Sequence, residues 1–384
     1  MRRFRLVLAM LAGLAVLLVS AGSSGSTTPA HWVITDLGPG GSIDINESGQ
    51  VVGGGAWIWQ GGKKTQLGTL GGPRSSVGAI NDRGQVIGGS ETAKPVKGHG
   101  FLWQNGRMID IYPVQPRAIN NHGQVVGSGP VAGGNEHALL WQNGKVNDLG
   151  TLGGPGSIAL AINDRGQIVG EADTNKKDRN GAWIADAFLW QQGKMRDLGT
   201  LGGAYAAGSI AVDVNEAGQV VGSSLSNTIG YGQCGGGSHA FLWQNGRMRD
   251  LGTLGGTMPT SAAVAINSRG WIIGNSPPSC DWRPFLWRNG KMISLGTLPA
   301  GNHSQVIAIN ERGQVIGNSG TSGKHPVMHA WIWQNGMVTD LGLLHPHSSW
   351  SSATALNEHD QIVGNSTTAR GKGRAVIWTL EPRG

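Results

Sequence analysis

A repeat of about 44 residues runs through the chain eight times and limits the fold more than any other feature. Each repeat has an apolar run that ends in Asn, a turn, Gln-Val-Val-Gly or a close variant, a variable insert, and a second half centred on Trp. The repeated Asn residues are Asn46, Asn81, Asn120, Asn163, Asn215, Asn267, Asn310 and Asn357. The repeated Trp residues are Trp59, Trp103, Trp141, Trp190, Trp243, Trp287, Trp333 and Trp378. A period of this length is typical of propeller blades.

Each repeat predicts four short antiparallel strands. The first strand ends in an Asn-x-x-Gly turn, where a glycine such as Gly84 or Gly123 accepts the left-handed backbone conformation. The third strand ends at the repeated Trp, and an Asn-Gly pair such as Asn105-Gly106 turns the chain into the fourth strand. Two tight hairpins in every repeat exclude a parallel β-helix.

Alternation within the third strand predicts how the sheets pack. In Phe241-Leu242-Trp243, neighbouring side chains point to opposite faces, and both faces are apolar. A sheet with two apolar faces is covered on both sides, as a blade is between two neighbours. The 66 Gly and 16 Pro among 384 residues argue against a helical bundle.

The two ends of the repeat array predict how the ring closes. Residues Trp32 to Gly38 match a fourth strand that has no first three strands before it, and the last repeat stops after its third strand, at Trp378. The sequence therefore predicts an all-β fold, an eight-bladed β-propeller of four-stranded antiparallel blades, whose N-terminal strand completes the C-terminal blade.

The first residues are typical of a secretory signal peptide. Residues 1–21 combine a basic start, an apolar stretch and the small-x-small site Val19-Ser20-Ala21. Residues 22–30 are expected to be a flexible lead-in, and residues 31–384 a single propeller domain. We therefore expect a secreted protein, extracellular or periplasmic; the alternative is an uncleaved membrane anchor. No later stretch of the sequence is apolar enough for a membrane span.

The charge balance does not suggest nucleic-acid binding. The formal net charge of +7 falls to +4 when the three arginines of residues 1–21, which contain no acid, are removed. We expect no cofactor, no nucleic-acid partner and a monomeric mature protein.

A recurring motif resembles a known family. His99-Gly100-Phe101, His137-Ala138 and His239-Ala240-Phe241 are followed by Leu-Trp and, in most repeats, by Asp-Leu-Gly-Thr-Leu-Gly-Gly or part of it. This pattern resembles the HAF-repeat family of probable extracellular bacterial repeat proteins over about residues 31 to 378. The sixth repeat departs from it with Arg283-Pro284-Phe285, and the eighth lacks the ending. The resemblance implies export, and the family has no established catalytic activity.

The variable inserts predict where ligands bind. They all connect second to third strands, so they fall on one side of the ring, and variable loops on a rigid scaffold are common binding sites. Trp183, Trp282 and Trp350 lie in loops outside the repeated series. We expect a secreted, non-catalytic binding module that presents these loops to a glycan or an envelope polysaccharide. The alternative role for the three Trp side chains is packing beneath the loops.

Histidine and cysteine side chains suggest structural roles first. His99, His137, His239 and His329 share one position at the start of the third strand, diagonal to the Asp of Asp-Leu-Gly, and a structural His–Asp hydrogen bond is expected. His325, His345 and His347 have a spacing that suits a metal, without a supporting Cys or carboxylate pattern, so no metal site is predicted. Cys234 and Cys280 lie in adjacent inserts and are expected to form a disulfide bond, with two free thiols as the alternative.

Two further functions stay open. The chain contains no Gly-x-Ser-x-Gly, phosphate-loop or His-Glu-x-x-His motif. A glycoside hydrolase would need paired acids at the ring mouth, for which the candidates are Glu171, Asp173, Asp178, Asp186 and Asp281. A scaffold that binds another protein, such as an envelope protein, is the remaining alternative.

Overall fold

The protein consists of β-strands arranged in eight four-stranded antiparallel sheets. In the computed structural model, the described residues are 31–94, 97–202, 208–226, 237–256, 260–277, 281–299, 301–321, 327–348 and 350–381. In seven blades all four strands pair in chain order, which is the meander that the two hairpins of each repeat predict, and the eighth differs in its outermost strand. The predicted all-β propeller of eight blades is confirmed.

The strands of the first four blades follow the repeats closely. Blade 1 contains β2 (Ser42–Ile45), β3 (Val51–Gly53), β4 (Trp57–Gln60) and β5 (Lys63–Gln66). Blade 2 contains β6 (Gly71–Ile80), β7 (Val86–Thr92), β8 (Gly98–Gln104) and β9 (Arg107–Asp110). Blade 3 contains β10 (Gln115–Ile119), β11 (Val125–Pro130), β12 (Glu136–Gln142) and β13 (Lys145–Asp148). Blade 4 contains β14 (Gly153–Ile162), β15 (Ile168–Lys177), β16 (Trp183–Gln191) and β17 (Lys194–Asp197).

The remaining blades continue the same order, and the last one takes its fourth strand, β1 (His31–Pro39), from the start of the chain. Blade 5 contains β18 (Ser209–Val214), β19 (Val220–Leu225), β20 (Ser238–Gln244) and β21 (Arg247–Asp250). Blade 6 contains β22 (Ala262–Ile266), β23 (Ile272–Asn275), β24 (Pro284–Arg288) and β25 (Lys291–Ser294). Blade 7 contains β26 (Gly301–Ile309), β27 (Val315–Thr321), β28 (Met328–Gln334) and β29 (Met337–Asp340). Blade 8 contains β30 (Ser351–Leu356), β31 (Gln361–Thr367), β32 (Gly373–Glu381) and β1.

Closure of the ring depends on the pairing of β1 with β32. The two strands are antiparallel, with Ile34 opposite Trp378 and Asp36 opposite Val376. The strand order in this sheet is β1-β32-β31-β30, so β1 is the outermost strand of blade 8. The predicted closure is confirmed, because the first described strand supplies what the last repeat lacks.

The Gly of Gln-Val-Val-Gly recurs in every repeat, and a bulge in the first strand of every blade explains it. In blade 5 the register shifts between Ala211 and Asp213 of β18, opposite Gly222 of β19. A Cβ atom on Gly222 would collide with the backbone oxygen of Ile210. The bulge therefore brings the first strand so close that only glycine fits at this position.

The hydrophobic core lies between the blades. Between blades 4 and 5, Val169 and Leu189 pack with Phe241 and Trp243. The same packing recurs around the ring, so both faces of each blade are covered, as the alternation of apolar side chains predicts. Trp57 and Trp331, which replace Phe in the third strand, are buried in this core.

The two sides of the ring differ. One side, the turn face, carries the Asn-x-x-Gly turns and the two-residue hairpin turns, where Asn105 and Gly106 both have positive φ. The other side, the insert face, carries the connections between second and third strands and the crossovers from one blade to the next.

Candidate functional site

A closed ring of asparagines lies at the turn face of the central channel. The side-chain amide of each repeated Asn donates a hydrogen bond to the backbone oxygen of the repeated Asn in the next blade, at 2.8 to 3.2 Å. The last of these bonds runs from Asn357 to Asn46 and closes the circle. All eight asparagines are buried. The ring therefore locks neighbouring blades together at the channel.

A second layer of polar residues, mostly acids, follows directly after these asparagines and lines a channel mouth of about 350 Å³. The backbone N–H of Glu47 donates to Asp82, that of Asp164 to Glu216, and that of Glu358 back to Glu47. The carboxylates thus accept hydrogen bonds from the preceding blade. This acidic mouth is part of the structure that joins the blades, and the sequence analysis missed it.

Two acids in the channel wall occupy the same position in the innermost strands of opposite blades. Asp44 is in blade 1 and Asp213 is in blade 5, half a turn away, and the other six blades have Ala at this position. Each carboxylate accepts a backbone N–H from the next blade, from Ile80 at 3.0 Å and from Ile266 at 2.9 Å. Burial raises the pKa of both carboxyls to about 6.

The predicted His–Asp hydrogen bonds are present in four blades. The Nδ1 atoms of the His rings lie 2.6 to 2.9 Å from the Asp oxygens, and the pairs are His99–Asp110, His137–Asp148, His239–Asp250 and His329–Asp340. Serines face three of these histidines on the neighbouring strand, as Ser90 faces His99. The Ser90 hydroxyl, however, accepts the N–H of Leu70 in the crossover at 2.9 Å. The His–Asp pairs therefore join the third strand of each of these blades to its fourth strand.

An open slot lies on the insert face between blades 2 and 3. Ten residues separate Asp110 from Asn120, whereas fifteen separate Asp148 from Asn163, so blade 3 has a short crossover. A cavity of about 810 Å³ lies beside this short crossover, and Gly89 and Gly98, which have room where a Cβ would be, leave part of its floor without side chains.

Charged side chains line this slot. Arg74 forms an ion pair with Oε1 of Glu91 at 2.9 Å, and Arg117 is exposed in β10 at the opposite wall. Oε2 of Glu91 is buried and has no hydrogen-bond partner. The slot thus offers an exposed cation, together with an acceptor that lacks a donor. A buried acceptor without a partner is uncommon in folded proteins.

The three predicted ligand-binding tryptophans are spread around the ring. Trp183 is 42% exposed in blade 4, where the Nζ of Lys177 lies 4.2 Å from the centroid of its ring. Trp282 is 46% exposed in the insert of blade 6. Trp350 is partly buried in the crossover to blade 8, where it forms a bridge to Met328. The structure places the three residues in separate parts of the ring.

The acids proposed for a glycosidase do not converge at one mouth. Glu171 and Asp173 line a cavity of about 380 Å³ between blades 3 and 4. Asp186 belongs to the opposite face of blade 4 from Glu171, because Glu171 lies opposite Ala187, its neighbour in β16. The carboxylate of Asp178 binds backbone N–H groups within its own hairpin turn, and Asp281 lies 3.3 Å from His303 in another blade.

Several predicted features fall outside the described residues. These are the signal peptide and lead-in, Cys234, Cys280 and His325, so export, the disulfide bond and its free-thiol alternative stay predictions. The rings of His345 and His347 are 5.5 Å apart, and no three His, Cys, Asp or Glu side chains in the described residues form a metal-binding group. No helix in the described part of the chain has the length and apolarity needed to cross a membrane.

Comparisons with known proteins identify the fold. No family model and no curated protein matches the sequence. Among solved structures, the β-propeller domain of the Trilobed protease from Pyrococcus furiosus is similar, with a TM-score of 0.51, 10% identity, and coverage of 82% of this chain and 98% of that one. That propeller is described as having an open velcro topology, whereas β1 closes the ring here.

Two further structures are longer than the region they share with this chain. Dipeptidyl peptidase 4 from Porphyromonas gingivalis has a TM-score of 0.52 and 9% identity, covering 89% of this chain and 58% of that one. A prolyl endopeptidase has a TM-score of 0.52 and 11% identity, covering 78% of this chain and 49% of that one. The chain thus spans about half the length of these two peptidases. Identities of this size establish the fold alone.

These comparisons correct the function predicted from the sequence. The prediction of a non-catalytic module for glycans, with a scaffold and a glycoside hydrolase as alternatives, is contradicted, because the similar propellers belong to peptidases. The tryptophans outside the repeated series do not indicate one common binding surface, because they lie in different blades.

Proposed function

We propose that the protein is a hydrolase-type propeller that binds a peptide in the slot between blades 2 and 3 and holds it for a peptidase active site. One observation carries this proposal, namely the open slot of about 810 Å³ with the exposed cation Arg117 at its wall. Three solved propellers of similar fold, all from peptidases, support it.

The chemistry of the slot suits a peptide. A carboxylate of the peptide would pair with the guanidinium of Arg117, which is exposed at one wall of the slot. The glycine floor lets a peptide backbone approach the strands closely. Ligand pockets commonly combine a few such polar groups with apolar walls, which Val77 and Pro116 supply here.

Binding of fluorescently labelled peptides, measured by anisotropy, tests the proposal. We expect Arg117→Ala to weaken binding about tenfold, which corresponds to about 1.4 kcal/mol. Arg370→Ala is the matched control, because Arg370 is also an exposed arginine but lies in the insert of blade 8, away from the slot. The proposal is wrong if no peptide binds, or if both substitutions weaken binding equally.

We also propose that the protein is exported as a member of the HAF-repeat type. The basic and apolar segments of residues 1–21, and the repeated His-Ala-Phe motif, support this. N-terminal sequencing of protein recovered from the cell exterior or the periplasm should begin near Gly22. Recovery of full-length chain in the membrane fraction would instead indicate an uncleaved anchor.

A further inference from the structure

Blade 4 breaks a pattern that pairs a basic side chain with an acid at the outer edge of the ring. Blades 2, 3, 5 and 7 have the His–Asp pairs, and in blade 8 Arg374 takes the place of His and lies 2.8 Å from Asp36. In blade 4 the place of His is taken by Asp186, eleven residues before Asp197, the same separation as between His99 and Asp110. Two carboxylates thus occupy the positions that a His and an Asp occupy in blades 2, 3, 5 and 7.

The strand register gives these two carboxylates the same relationship as a His–Asp pair. Asp197 lies opposite Phe188, two residues beyond Asp186, just as Asp110 lies opposite Phe101, two residues beyond His99. Side chains two residues apart on a strand share a face of the sheet, so Asp186 and Asp197 belong to the same face of blade 4.

Asp186 has a buried oxygen without a partner. The residue is 6% exposed, and its Oδ1 has no hydrogen-bond partner. Asp197 is exposed, and its Oδ1 accepts the N–H of Gly199 at 2.7 Å. In blades 2, 5 and 7 the other oxygen of this acid, Oδ2, binds the His ring. A buried carboxylate without a positively charged or donor group is strongly disfavoured.

Nearby charges also affect the Asp186 carboxyl. Burial raises the pKa of the Asp186 carboxyl, the negative charge of Asp197 raises it further, and Lys176 partly opposes both. Lys176 is near enough to lower the pKa of Asp186 through its charge, but the described side chains of the two residues form no ion pair. Among the described residues, therefore, no cation is in direct contact with this carboxylate.

We propose that Asp186 and Asp197 bind a hard divalent cation, of the Ca²⁺ or Mg²⁺ class, where other blades hold a basic side chain. Carboxylate oxygens are the ligands that these ions prefer, and the exposure of Asp197 leaves room for water to complete the shell. Because the protein offers two carboxylates, we expect weak binding, with a dissociation constant of about 10⁻⁴ to 10⁻³ M. This site is separate from the peptide slot and does not depend on the proposed function.

Calcium titration of the full chain tests the proposal, with calorimetry for binding and thermal unfolding for stability. We expect one Ca²⁺ to bind, and Tm to rise by about 2 °C in about 10 mM CaCl₂. Asp186→His is the matched variant, because it restores the residue found in four other blades. This variant should fold, and its affinity for Ca²⁺ should fall at least tenfold.

Two results would overturn the proposal. Equal Ca²⁺ binding by the natural chain and by Asp186→His would place the ion elsewhere. The second result is that the natural chain binds neither Ca²⁺ nor Mg²⁺ and gains Tm on acidification, while Asp186→His gains none. That result would show that the two carboxyls share a proton and hold no cation. Asp197→Asn gives a second measurement, since it should weaken Ca²⁺ binding while keeping the exposed position polar.

Discussion

The guanidinium of Arg374 donates hydrogen bonds to both carboxylate oxygens of Asp36, at 3.0 and 2.9 Å, across 338 residues of sequence. Burial alone would raise the pKa of Asp36, but the hydrogen bonds from Arg374 and Gly38 outweigh it and lower the pKa. The pair joins β1 to β32 in the blade that closes the ring. It also occupies the register of the His–Asp pairs in blades 2, 3, 5 and 7.

Removing this ion pair should loosen the closing strand. Because Arg374 and Asp36 are only partly buried, we expect Arg374→Ala to lower the free energy of unfolding by about 1 kcal/mol. Arg374→His should retain most of that stability, since His holds the same Asp in four other blades. Urea unfolding measures both, and equal losses in the two variants would show that the pair does not act as a substitute for His–Asp.

Much of the fold was predictable because the repeat carries it. Asn-Gly turns define antiparallel hairpins, the count of repeated Asn gives the number of blades, and the unmatched strand at Trp32–Gly38 gives the closure. The His–Asp pairs followed from the strand register, since both partners lie within one hairpin. Each of these features depends on residues that are close in sequence or that repeat.

The candidate sites depend on contacts between blades, which the repeat alone does not reveal. The asparagine ring joins residues 35 to 52 apart around most of the circle, and 311 apart at its closure. The slot arises where a crossover is short, and the spacing from Asp110 to Asn120 was the available signal. In blade 4 the signal was Asp186, an acid in the position of His. These departures from the repeat indicate sites better than the loop tryptophans did.

The asparagine ring should contribute strongly to stability. Asn215 is buried, and its side chain donates to Asn267 and Gln219 and accepts the N–H groups of Ala217 and Gln219. Asn215→Ala leaves these buried groups without partners, so we expect a loss of about 3 kcal/mol in the free energy of unfolding. Asn147→Ala is the control, because Asn147 is exposed in β13, and we expect it to change the free energy of unfolding by no more than about 0.5 kcal/mol. A similar small effect at Asn215 would contradict a stabilising ring.

The glycine opposite each bulge should tolerate no side chain. In Gly222→Ala, the new Cβ would meet the backbone oxygen of Ile210, which cannot rotate away. We expect a loss of about 3 kcal/mol or failure to fold. Gly98→Ala is the control, because Gly98 lies in a strand with open space around it. Thermal unfolding of both variants checks the prediction, and a Gly222→Ala protein as stable as Gly98→Ala would show that the bulge can relax.

The channel acids should make stability depend on pH. Burial raises the pKa of Asp44 from 3.8 to about 6, so between these values the folded protein binds more protons at this site than the unfolded chain. The contribution of Asp44 to stability is therefore complete below about pH 4 and is lost as the pH rises through about 6. We expect that loss to be on the order of 2 kcal/mol, allowing for partial exposure to the channel.

Asp44→Ala isolates this effect, because Ala is the residue that six other blades carry. Between pH 4 and pH 7, the free energy of unfolding of the variant should fall by about 2 kcal/mol less than that of the natural chain. Asp213→Ala should behave in the same way, since the pKa of Asp213 is also raised to about 6 by burial. The two effects should add in the double variant, because the sites lie on opposite sides of the ring. Parallel pH profiles for the natural chain and the double variant would show that these carboxyls titrate normally in the folded protein.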